Sequence, residues 1–244
     1  MKRALCLVAL GLLAGGCGGG TADVAETTTE TTSAPQTTTT AAQTQTLALF
    51  FVAPDGKLVA ASRDVAQTQT PGAATLQELT EPTEGTTTSV PDGLQLTIDE
   101  GEGHVTGASL DDAALAQIVY SLTTFPTVRS VNGKTRADVE GFVPPILVED
   151  PSPGETVASP LHVTGTANTF EATFNYRLEN ALGKALAKDF VTATSGSGTR
   201  GTFDFTVPFT VDSAQDGKLV VFELSAEDGS VIHEREIPLR LVPP

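Results

Sequence analysis

Three histidines, two cysteines and a few clustered carboxylates are the side chains of this 244-residue chain best equipped for chemistry. His104, His162 and His233 are scattered and never reach the short helical spacing that turns two ring nitrogens toward one metal ion. Asp99, Glu100 and Glu102 gather near His104, a donor set that could hold a cation. They also flank Gly101 and Gly103, and a solvated acidic hairpin turn accounts for the same residues more simply. Gly101, Gly103 and Gly107 miss the dinucleotide-binding glycine pattern by one residue. Ser197, in Gly196-Ser197-Gly198, lacks the strand–turn–helix frame and the base that would make it a nucleophile. Glu171 and Glu223 are expected on the polar faces of strands, where a structural or contact role outweighs acid–base work. The expectation is therefore no catalytic residue, no cofactor and no metal.

The cysteines point elsewhere. Met1-Lys2-Arg3 is a short basic start, and Ala4 to Ala14 is an apolar run too short to span a bilayer. Leu13-Ala14-Gly15-Gly16-Cys17 follows, with Gly18 to Gly20 beyond. Small residues before a cysteine at the end of such a run resemble the lipobox of bacterial lipoproteins. The leucine stands one position earlier than is usual there. The resemblance implies a signal peptide over 1–16 and diacylation of Cys17, palmitate-type chains holding the protein on the extracytoplasmic face of the cell membrane. Cys6 would leave with the signal peptide. The folded part would then contain no disulfide and no thiolate, so its core must hold it together.

The formal charge is −16. Loss of Lys2 and Arg3 with a leader would remove two of the few cations. So acidic a chain is a poor ligand for nucleic acid, and no nucleic-acid partner is expected. Residues 17–46 are low in complexity, with eleven threonines between Thr27 and Thr46. They lack apolar periodicity, and the expectation is a disordered Thr-rich linker.

Folded structure is expected from Leu47. Leu47 to Val52 is a continuous apolar run of the kind found in a covered strand. A turn at Pro54 to Lys57 leads to a second strand at Leu58 to Ala61. Thr70-Pro71 should open a short helix, with the threonine as N-cap and Ala73, Leu76 and Leu79 on one face. Leu94, Leu96 and Ile98 alternate as a strand, and another follows around Val105. Ser109 with Asp112 is read as a capping box for a helix carrying Leu115, Ile118, Val119 and Leu122. Val128 to Val131 is a strand, Asn132-Gly133 a tight turn, and Arg136 to Val139 its return.

This order resembles the GerMN domain of spore-germination proteins. The likeness is carried by Ala73-Ala74-Thr75-Leu76-Gln77-Glu78-Leu79, by Ser89-Val90-Pro91-Asp92-Gly93-Leu94, and by Val119-Tyr120-Ser121-Leu122-Thr123-Thr124-Phe125-Pro126-Thr127-Val128. It implies a small α+β domain over 47–143.

Pro144-Pro145 marks a boundary. Beyond it, about seven strands should form a two-sheet sandwich over 144–244 that folds by itself. Two long alternations anchor it: Phe170, Ala172, Phe174, Tyr176 and Leu178, and then Phe203, Phe205, Val207, Phe209 and Val211. Gly165 interrupts a third. Turns are expected at 151–154, 181–183, 195–198, 216–217 and 228–229. With no tryptophan in the chain and no cysteine in this part, the sandwich can only be immunoglobulin-like. Ser152-Pro153-Gly154-Glu155, Val163-Thr164-Gly165-Thr166-Ala167 and Phe222-Glu223-Leu224-Ser225-Ala226-Glu227-Asp228-Gly229-Ser230 resemble the immunoglobulin-like domain of bacterial spore germination.

These resemblances imply a non-enzymatic envelope lipoprotein of the germination or sporulation type. Its partners would be the membrane, through Cys17, and an envelope protein or cell-wall polymer. Asp228-Gly229 and Asn168-Thr169 are the candidate contact loops. Two alternatives stand beside this reading: a lipoprotein that captures a sugar or other small molecule, and an accessory subunit of a membrane sensor kinase.

Overall fold

The computed structural model describes residues 43–244, so Cys17, the signal-like start and most of the threonine-rich stretch lie outside the described residues. The first domain begins with a hairpin of β1 (Thr44–Val52) and β2 (Leu58–Ala66), paired antiparallel from Val52 against Leu58 to Thr44 against Ala66. The strand starts three residues before Leu47, because Thr44 to Thr46 continue the ladder opposite Asp64 to Ala66. Threonine suits the pleated backbone, so the low-complexity stretch runs into the sheet.

Helix α1 (Pro71–Glu78) follows. Proline opens it, but Thr70 makes no side-chain capping bond; instead Thr68 Oγ1 accepts the Thr70 amide at 3.2 Å. Its buried face is Gly72, Thr75 and Leu76, continued by Leu79. Ala73 is exposed, contrary to the expected register. Next come β3 (Gln95–Asp99) and β4 (Glu102–Thr106), antiparallel, and helix α2 (Asp112–Leu122). Asp111, and not Ser109, caps α2, its carboxylate accepting the Ala114 amide at 2.7 Å. An N-cap carboxylate satisfies a donor the helix cannot. Asp111→Ala is expected to cost about 1 kcal/mol, read as a lower midpoint in urea with α2 otherwise intact.

Helix α2 buries more than one stripe: Ala114 and every residue from Ala116 to Leu122 are buried. Two of them are polar and service β1. Ser121 Oγ accepts the Phe50 amide at 3.0 Å, and Gln117 Nε2 donates to the Phe50 carbonyl at 3.1 Å. The two-residue strand β5 (Ser130–Val131) runs parallel to β4. Asn132 and Gly133 both take positive φ, 49° and 73°, as a tight reversal demands. The stretch Arg136–Phe142 is a 3-10 helix and not the expected return strand. Thr135 and Asp138 close a capping box at its start, which directs the chain into a helical turn.

The second domain is a sandwich. One sheet has three strands, β11 (Gly201–Val207), β8 (Leu161–Ala167) and β6 (Ile146–Asp150), in the order β11-β8-β6. The other has five, β7 (Thr156–Val157), β9 (Thr173–Asn180), β10 (Ala185–Thr192), β12 (Gln215–Leu224) and β13 (Val231–Leu241), in the order β10-β9-β12-β13-β7. Phe174, Tyr176 and Leu178 point into the core as the alternation requires. The rings of Phe203 and Phe205 meet Phe174 from the facing sheet at 4.9 and 6.4 Å.

Three expectations fail here. Phe170 is 57% exposed, because Phe170–Ala172 is a 3-10 turn and the strand starts only at Thr173. Asp216-Gly217 lies inside β12 and is no turn. Gly165 does not break β8, which runs through it.

Candidate contact surfaces

Several of the side chains singled out for chemistry turn out to have a structural task. Glu102 accepts hydrogen bonds from Ser130 Oγ and the Gly133 amide, fastening the end of β4 to the turn after β5. The Ser130 hydroxyl and then that amide hold its carboxyl below the ordinary range. Asp99, Glu100 and His104 are exposed, and among the described residues no three His, Cys, Asp or Glu side chains converge as metal ligands. Ser197 Oγ accepts the Glu171 amide at 3.0 Å. His162 lies 2.7 Å from Asp204 on the sandwich surface.

Glu223 departs from its expected polar face, since its side chain is only 8% exposed. One oxygen accepts the Phe170 amide at 2.8 Å and the other lies 2.9 Å from His233 Nδ1. This carboxylate pins the 3-10 turn that displaces Phe170 from the core. Of the two candidate contact loops, Asp228-Gly229 is exposed, whereas Thr169 is buried. Asn168 works inward: its amide donates to Pro145 O at 2.8 Å, and its side-chain oxygen accepts the Gly198 amide at 2.9 Å.

The features that matter most here were not singled out in the sequence, and they lie where the two domains meet. Leu147 belongs to β6 of the sandwich, yet its buried side chain is part of the core of the first domain. Arg200 reaches from the loop before β11 to both oxygens of Glu140, at 2.9 and 2.8 Å, and to the carbonyls of Pro144 and Thr166. Its side chain is 12% exposed, so the guanidinium is largely out of water and well supplied with acceptors.

Arg136 bonds Glu149 at 2.7 Å and sits 4.5 Å from the centre of the Tyr120 ring. Burial, against the nearby arginines, pushes the Tyr120 hydroxyl up to about 12. Arg235 of β13 pairs with Asp55 in the β1–β2 turn. Burial pushes the Asp55 carboxyl up, but Arg235 and the Lys57 amide outweigh it and hold it below the ordinary range. Beside this junction lies a cleft of about 520 Å³, lined by Arg136, Glu149, Asp204 and the threonines 164, 166, 192, 194 and 202.

Residues 48–132 match the family described as "Sporulation and spore germination", and residues 145–230 match the "Immunoglobulin-like domain of bacterial spore germination". The chain thus carries one domain matching each of these two families. Each match falls on one of the two domains just described. No curated protein matches the pair.

Among solved structures, the pair is similar to the tandem GerMN domains of the sporulation protein GerM from Bacillus subtilis. That likeness has a TM-score of 0.33 and 10% identity, and it covers 82% of this chain and 61% of that one. CopC from Methylosinus trichosporium OB3b is similar over 40% of this chain and 94% of its own, with a TM-score of 0.27 and 17% identity. A C. elegans MSP family member, WR4, is similar over 41% of this chain and 99% of its own, with a TM-score of 0.24 and 15% identity. At these scores none of the three bears on what the pair does.

Proposed function

We propose that the protein is a lipid-anchored component of the bacterial envelope, held by Cys17 on the extracytoplasmic face. Its germination-type domain pair binds another envelope protein or the wall polymer without catalytic turnover. The observation that carries this reading is the use made of the polar side chains. Glu223, His233, Glu102, Ser197, Arg136 and Arg200 all spend their hydrogen bonds on holding the two domains and their turns in place. A body fixed in this way presents constant surfaces, which suits recognition.

Two experiments test the proposal. Cys17→Ala should move the protein from the detergent phase to the aqueous phase, or leave its leader uncleaved; unchanged partitioning and processing would remove the anchor. Full-length protein recovered from intact envelopes after mild cross-linking should carry a protein partner or wall fragments. Release of soluble fragments from purified peptidoglycan by repurified protein would instead make it a hydrolase.

The hydroxyl-lined cleft favours a second reading, capture of a neutral sugar. Its volume lies within the range of small-molecule sites. Saturable binding of one soluble sugar per chain, lost in Thr202→Val, would establish that reading in place of the first.

A further inference from the structure

We propose that the free edge of β3 pairs with the same edge of a second copy of this chain, antiparallel across a two-fold axis at Thr97. The hydrogen-bond phase of the β3–β4 hairpin locates that edge. Glu100 and Gly101, at φ of 47° and 89°, make its two-residue turn, which closes on the bonded pair Asp99 and Glu102. Thr97 and Gln95 therefore bond His104 and Thr106, while Leu96 and Ile98 turn their N–H and C=O groups away from β4. The other side of β4 agrees with this phase. Gly103 O accepts the Asn132 amide at 2.9 Å, and Val105 exchanges hydrogen bonds with the Asn132 side chain at 2.9 and 3.0 Å. Gly103 and Val105 thus face β5 and the turn after it, so their opposites, Ile98 and Leu96, face outward.

The backbone N–H and C=O groups of Leu96 and Ile98 have no hydrogen-bond partner among the described residues, and β3 pairs with no strand but β4. The edge is open to solvent. Gln95, Thr97 and Asp99 are exposed, and Ile98 is 47% exposed. Helix α1 rests on one face of the strand, through side chains: a Cβ added at Gly72 would stand 2.7 Å from Leu96 Cδ2 and 3.9 Å from Ile98 Cδ1. A groove of about 330 Å³, lined by Pro71, Ala73, Leu96, Ile98 and Phe125 among others, opens on that face. An unpaired edge with an apolar flank is a template for another strand.

The strand's own residues decide the occupant. Only a register centred on Thr97 pairs all of Gln95–Asp99 with its copy. Leu96 then hydrogen-bonds Ile98 of the second copy, and Ile98 its Leu96, so every outward N–H and C=O of both strands is used. Residues opposite each other share a face, so Ile98 of each copy covers Leu96 of the other at the mouth of its groove. On the opposite face Thr97 meets Thr97, a favourable cross-strand pair. At the two ends Gln95 stands opposite Asp99, an amide beside a carboxylate, and no like charges are opposed. Such a contact is self-complementary, as a two-fold dimer requires. Five residues make a small interface, so the dimer is weak and transient. This inference goes beyond the envelope partner proposed above and does not depend on it.

The test uses the full chain with Cys17→Ala, which removes the lipid as a source of association. Sedimentation equilibrium is run at about 0.15 M salt, where repulsion between two copies at −16 is largely screened. The mass should rise from monomer toward dimer between roughly 10 μM and 1 mM. Over the same range, amide exchange at Leu96 and Ile98 should slow roughly tenfold, while Thr97, already bonded to β4, changes less. Thr97→Lys and Thr97→Glu each oppose like charges at the axis and should weaken association roughly tenfold; their equimolar mixture should restore it. Far-UV circular dichroism checks that both variants are folded.

A mass that stays monomeric to about 1 mM overturns the proposal. Association that is equal in wild type, Thr97→Lys and Thr97→Glu also overturns it, by placing the contact elsewhere. Folded lysine and glutamate variants whose mixture stays monomeric do the same. A monomeric wild type whose envelope partner is lost in Thr97→Lys gives the edge to a foreign strand instead, and the contact role then stands without the dimer.

Discussion

Replacing Gly165 with alanine is expected to unfold the C-terminal sandwich. Gly165 lies in the middle of β8, opposite Phe203 of β11 on one side and Val148 of β6 on the other. A Cβ placed there would stand 2.1 Å from the Leu147 carbonyl oxygen, 3.1 Å from its carbon and 2.6 Å from Phe203 Cζ. A ring edge can swing aside. The Leu147 carbonyl is backbone, and relieving that contact means prying β6 from β8 along its ladder. The expected loss is more than about 4 kcal/mol, at the severe end for single substitutions. Urea unfolding followed by far-UV circular dichroism measures it. Gly141→Ala, where an added Cβ meets nothing within 4 Å, is the matched control. A Gly165→Ala protein within about 1 kcal/mol of wild type would show that the β6–β8 contact is looser than described.

Phe174→Ala should cost about 3–5 kcal/mol, the range for deleting a buried aromatic ring. Phe174 is fully buried and lies against Phe203 and Phe205 of the facing sheet. Truncation removes both ring contacts from one side and leaves a hole between the sheets that the strands cannot close without bending. The readout is the urea midpoint, with binding of a hydrophobic dye reporting a loosened core. A loss below about 1 kcal/mol would place Phe174 outside the shared core.

Much of the fold is legible in the sequence because burial imposes a period. Phe174, Tyr176 and Leu178 alternate, and the strand lies where they put it. The α2 stripe of Leu115, Ile118, Val119 and Leu122 marks a helix, although the helix buries far more than that stripe. What escaped is set by contacts distant in sequence. Phe170 continues the alternation, yet a buried carboxylate 53 residues away bonds its amide and Glu171 takes a φ of 52°, turning the chain off the strand. Asp216-Gly217 has the composition of a turn. The glycine is needed because a Cβ there would stand 2.6 Å from Glu179 O and from the Leu241 side chain within the sheet.

The meeting of the domains was the least legible part. Arg200 sits in a run of Ser, Gly and Thr that reads as an ordinary loop, and nothing in that run announces Glu140 or Pro144 as its partners. The hydropathy of Ile146-Leu147-Val148 says that the side chains are buried but not in which core.

Leu147 has a consequence for how such a protein can be inherited. A domain pair joined by a plain linker can be cut at the linker and each half recombined with other partners. Here the natural cut, at Pro144-Pro145, would give the sandwich a leucine with no cavity to fill and the first domain a cavity with no leucine. A successful exchange would have to replace both sides together, carrying β6 with the first domain or a matching pocket with the second. The two halves are therefore expected to travel through lineages as one cassette, with the size of residue 147 and the first-domain core that receives it changing in step.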